Sequence, residues 1–88
     1  MMTAPAIAQD TPADVQAACA TLQNMPEAIC ACIGERSANE LSADQRAFYV
    51  AALDGDDAET ARLRGTMEPM ALIGVVTFMR TSPAACAG

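Results

Sequence analysis

The 88-residue chain contains no histidine, no lysine and no tryptophan, and only one tyrosine and two phenylalanines. Without histidine it lacks the usual near-neutral proton shuttle, an imidazole ligand for zinc, and any Ser-His or Cys-His nucleophile pair. Without lysine its cations are five arginines, set against eleven acidic residues for a net charge of −6. Nucleic acid and anionic membrane surfaces bind through clustered basic side chains, so neither is an expected partner. Charged residues are also scarce, at 18% against 52% hydrophobic, which excludes a disordered tail and predicts a packed core. That core is small. A chain of this length buries about 60–65% of its unfolded surface and has no room for a large catalytic cleft.

Four cysteines are present in compensation. An even number in so short a chain reads as a disulfide framework made in an oxidising compartment, so a periplasmic or secreted location is expected. Residues 1–10 read as a flexible N-terminal segment. Within it, Ala6-Ile7-Ala8 before Gln9 has the small-x-small form of a signal cleavage site, although the basic and apolar regions of a complete signal are missing. Residues 11–88 read as one helical domain.

Helix starts are marked by residues able to satisfy free first-turn amides. Thr11-Pro12-Ala13-Asp14 opens a first helix that carries Val15, Ala18, Cys19 and Leu22 to about Gln23. Asn24-Met25-Pro26-Glu27 repeats the pattern and predicts a second helix from near Met25 to about Ser37. Ser42-Ala43-Asp44-Gln45 opens a third, with Phe48, Ala51, Ala52 and Leu53 on one side and Asp54-Gly55 as its stop. Asp56-Asp57-Ala58-Glu59 caps a short fourth piece ending at Gly65. The last helix runs from Thr66–Pro69 to about Thr81 and is apolar all round, which predicts the buried centre of a bundle. With that end it is too short to span a bilayer, where about 20 apolar residues are needed. The expected fold is all-α, a small irregular antiparallel bundle of four to five short helices stapled by two disulfides.

Four cysteines allow three pairings. Cys30 and Cys32 lie two residues apart on the second helix, about 200° around its axis, so their thiols point to different partners. Cys19 precedes the interhelical turn by as much as Cys30 follows it, which favours Cys19–Cys30 with Cys32–Cys86. Cys19–Cys32 with Cys30–Cys86 comes second, and pairing of Cys30 with Cys32 last. The ten residues between Cys19 and Cys30 depart from the twin Cys-x9-Cys pattern of coiled-coil-helix modules, and no residue role carries over.

Other chemistry is thinly supported. Reduced Cys30 and Cys32 with Met67 and Met70, a Met-x-x-Met pair, would offer soft donors to Cu(I), although core filling in an apolar helix is much the better account of both methionines. The acidic run from Asp54 to Glu59 fails the twelve-residue calcium-loop pattern, with Glu59 where glycine is needed. Glu35, Glu40 and Asp44 read as a solvated acidic face, and Ser37, Ser42 and Ser82 have no base to activate them. Arg62 and Arg64 complement the dipole of the fourth helix.

These features lead to an exported, non-catalytic accessory or structural subunit, needing no cofactor, that binds another protein or itself through the last apolar helix. The expected anchors are Met70, Ile73, Phe78 and Met79. A periplasmic Cu(I)-binding protein is the alternative, and a thiol-disulfide exchange protein the second.

Overall fold

The computed structural model describes residues 9–87, and the expected reading of residues 1–8 lies outside them. All regular elements among the described residues are helices: α1 Pro12–Leu22, α2 Glu27–Glu40, α3 Ala43–Asp54, α4 Asp57–Thr66 and α5 Pro69–Ala87. The fold is the expected all-α bundle stapled by two disulfides, Cys19–Cys30 and Cys32–Cys86.

Local chemistry explains most of the helix ends. Thr11 and Ser42 each close a full capping box, with Asp14 and Gln45 as the reciprocal partners. Gly55 ends α3 at φ 72°, the left-handed conformation that glycine adopts at least cost. Asp56 then accepts from the Glu59 amide to start α4. The second start differs from expectation. Asn24 takes a positive φ of 52° as part of the turn, and Pro26 stands at the N-cap with no side-chain cap, so the Asn24–Glu27 box does not form. Proline needs no amide partner there, and its fixed φ directs the chain into the helix.

The centre of the bundle is α3. It packs against α1, α4 and α5, while α2 packs against α1 and α5. Four consecutive α3 residues, Phe48, Tyr49, Val50 and Ala51, are buried, and this is possible only where neighbours cover several sides. They join Val15, Ala18, Cys19, Cys30, Ile33, Leu41, Leu63, Val75 and Phe78 in one core. Tyr49 meets Phe78 edge to face, with ring centroids 6.0 Å apart.

The last helix departs from the sequence reading in both position and length. It lies on one side of the bundle, with only Val75, Phe78 and Ser82 buried. It also passes through Pro83 to Ala87, so at 19 residues it is, by length and composition, long and apolar enough to cross a membrane. The expectation that it is too short rested on an end at Thr81.

Two close approaches fix the arrangement. At Gly34 a Cβ would lie 3.0 Å from Gln16 Cβ and 3.1 Å from the Pro12 carbonyl oxygen, so α1 and α2 meet backbone to backbone there. Gln45 serves two elements at once. Its Oε1 accepts from the Ser42 amide at 2.8 Å, and its Nε2 donates to the Ala71 carbonyl at 2.8 Å, joining the start of α3 to α5.

Candidate functional site

The inner face of α5 is built from Val75, Phe78 and Ser82, with Leu72, Met79 and Cys86 partly covered against the core. Successive residues turn by about 100°, so Met70, Ile73 and Val76 fall within about 120° of arc on the opposite side. All three are open to solvent, at 76%, 58% and 45% exposure. The only other large apolar side chain so exposed among the described residues is Leu22 at the end of α1. Thr77 and Arg80 continue the open face toward the C-terminus. Arg80 forms no ion pair with another described residue, whereas Arg36 pairs with Glu40 and Arg62 with Glu59.

Two of the four expected anchors therefore lie on this face, Met70 and Ile73. Phe78 does not: it is 4% exposed and turned onto Tyr49. Met79 is partly covered against the core. The separation of Ile73 and Phe78 is five residues, about 140° of arc, so no single partner surface reaches both. Val76 was missed, although the spacing of three from Met70 to Ile73 to Val76 was its signal.

The four cysteines pair as the helical spacing favours. Cα atoms are 5.4 Å apart in Cys19–Cys30 and 5.8 Å apart in Cys32–Cys86. In this disulfide-bonded form Cys30 and Cys32 are both paired and carry no thiolate, so the Cu(I) reading applies only to a reduced form. Nor do the methionines converge: Met67 is partly buried against the core and Met70 stands 76% exposed.

A cleft of about 540 Å³ between α3 and α4 is lined by Asp10, Asp44, Asp54, Asp56, Glu59 and Arg62, among others. Its chemistry is that of helix ends and a solvated ion pair. Asp56 caps α4, and the Arg62 guanidinium donates to the Glu59 carboxylate, which holds that carboxyl below its usual range. Among the described residues no three cysteine, aspartate or glutamate side chains gather as a metal site.

The largest polar knot was not visible in the sequence. Arg46 donates to three main-chain carbonyls, those of Asp10 at 2.6 Å, Ser37 at 3.0 Å and Leu41 at 2.6 Å. It thereby ties the approach to α1, the end of α2 and the α2–α3 connection to α3. Its partners are carbonyls that every residue possesses, so no residue-type pattern marks them.

Comparison of the chain with family models, curated proteins and solved structures returns no match.

Proposed function

We propose that this protein is an exported, disulfide-stapled accessory module that acts by docking a partner protein on the outer face of α5. The observation that carries the reading is the concentration of exposed Met70, Ile73 and Val76 on one side of one helix. Small soluble domains cover such strips or use them, and methionine with branched aliphatics is a frequent contact surface. The surface fits an amphipathic helix whose apolar stripe lies along these three residues and whose acidic side chain meets Arg80. Two disulfides in 88 residues suit the periplasm or the extracellular space.

Bilayer crossing by α5 is disfavoured on chemical grounds. It would strip Val75 and Phe78 from the core and carry Arg80 into the hydrocarbon region, where a charge is costly. The Cys32–Cys86 bond would also hold α2 against the membrane, with its Glu35, Arg36 and Glu40.

The test compares the oxidised wild-type protein with a Met70→Asp/Ile73→Asp variant, using both as baits in extracts of the native host and in sedimentation. Both side chains lie outside the core, so the variant should melt within about 0.5 kcal/mol of wild type. A partner held by wild type and lost from the variant is the expected result. Self-association abolished by the variant would identify the occupant as a second copy. The same companions and the same mass for both proteins would overturn the reading.

A further inference from the structure

The two disulfides share α2 but are enclosed to different degrees. Cys19 and Cys30 have no exposed surface at all. Cys32 and Cys86 are both partly open to solvent. Attack by a thiolate requires access to sulfur, so the second bond is the one a protein reductant reaches in the folded state.

The stretch of α5 held by that bond has little else to hold it. Phe78 is the last buried apolar residue of the helix. Beyond it, Pro83 brings no amide to the Met79 carbonyl, breaking the ladder one turn before the end. Ser82 is fully buried, yet its hydroxyl has no hydrogen-bond partner, so its place in the interface is a net loss. Ala84, Ala85 and Ala87 are exposed and add no packing. Met79 and Cys86 are only partly covered against the core, so the covalent bond, more than burial, fixes residues 79–87.

We propose that Cys32–Cys86 is a redox latch on α5, opened by a dithiol protein reductant while Cys19–Cys30 stays closed. A thiolate of the reductant attacks one sulfur, the Cys32–Cys86 bond breaks, a mixed disulfide forms and the leaving sulfur takes up a proton. The second thiol of the reductant loses its proton and attacks the mixed disulfide, releasing the other cysteine. Two electrons and two protons pass to Cys32 and Cys86, which end as thiols, and the reductant ends as a disulfide. Freed Cys32 does not pass the exchange on. It faces α5 while Cys30 faces α1, on the far side of α2.

Opening the latch lets residues 79–87 leave α2 and carries Arg80 away from Met70, Ile73 and Val76, which stay fixed by Leu72, Val75 and Phe78. The regulatory meaning rests on α5 being the docking face; the latch itself does not. Its test therefore needs no partner. Folded protein is titrated with dithiothreitol, alkylated, mapped by peptide mass and followed by amide hydrogen exchange, with a Cys32→Ser/Cys86→Ser variant as the permanently open form.

The expected result is labelling of Cys32 and Cys86 while Cys19 and Cys30 remain joined. Exchange in residues 79–87 should rise about tenfold or more, in both the reduced protein and the variant, with α1–α4 unchanged. Opening of Cys19–Cys30 first or simultaneously would overturn the proposal. So would selective opening of Cys32–Cys86 with exchange in residues 79–87 unchanged. A working latch whose Ile73→Asp variant binds every partner normally would leave the latch standing and remove the docking reading.

Discussion

At the residue scale, the single-residue contacts that matter most are those made to the main chain. Arg46 is the clearest case, because three carbonyls from separate parts of the chain converge on one guanidinium. Hydrogen bonds to a charged group contribute more than neutral ones, so Arg46→Ala should destabilise by about 2–4 kcal/mol in chemical denaturation. Arg46→Lys should recover only a minor part, since an ammonium cannot keep the planar spread of donors; full recovery would reduce the role of Arg46 to its charge. Tyr49 supports a second expectation. It is 2% exposed and donates to Gln23 Oε1 at 3.1 Å, and burial pushes its phenol above the ordinary value. Above about pH 10 the unfolded chain therefore loses a proton that the folded chain keeps, and stability falls as pH rises toward the folded pKa. Tyr49 is the only tyrosine and there is no tryptophan, so phenolate absorbance reports this group alone. Its midpoint should lie above that of the unfolded protein and should coincide with alkaline loss of helix; an ordinary midpoint in intact protein would contradict the burial.

Helix starts were legible at the element scale because capping depends on residue types a few positions apart. Thr11 with Asp14 and Ser42 with Gln45 behave as their spacing predicts, whereas Asn24 with Glu27 does not. In that case Pro26 intervenes, and the chain spends Asn24 on a positive φ for the turn. Helix ends were harder. Proline at 83 looks like a terminator, but the helix continues through it to Ala87, in a last turn that carries Cys86 of the second disulfide. Gly34 illustrates the same limit from another side. Helix propensity alone favours Gly34→Ala by about 1 kcal/mol. Packing opposes it, since the new methyl group would meet Gln16 Cβ and the Pro12 carbonyl, neither being the free end of a flexible side chain. Overpacking of this kind costs about 1–3 kcal/mol. The variant should therefore melt below wild type, and a higher melting temperature would show that α1 can shift outward.

Over the whole molecule, the cysteine pairing that helical spacing favours is the one that forms, although spacing alone left two others open, and the placement of helices could not be read. Opposite directions for Cys30 and Cys32 follow from the geometry of one helix, whereas the choice of central helix depends on what five short helices can reach together. The composition of α5 marks it as apolar all round, yet two neighbours cover only one side, and α3 takes the centre. Phe78 failed as an expected anchor for that reason, and Val76 was overlooked. The same asymmetry sets the relative weight of the two staples. Loop entropy alone assigns about 3 kcal/mol to Cys19–Cys30 and about 4 kcal/mol to Cys32–Cys86, whose sequence separations are 11 and 54. The folded state modifies both figures in opposite directions. Replacing Cys19 and Cys30 by alanine removes two buried sulfurs from the core and adds about 1 kcal/mol each for the space left behind. Replacing Cys32 and Cys86 by alanine lets residues 79–87 fray, and the freedom regained by the folded state offsets part of the loss. Paired denaturant titrations should thus rank Cys19→Ala/Cys30→Ala as the more damaging, although it opens the shorter loop. The reverse ranking would mean that the end of α5 is held by packing after all, and that the bundle unfolds as one unit from Thr11 to Ala87.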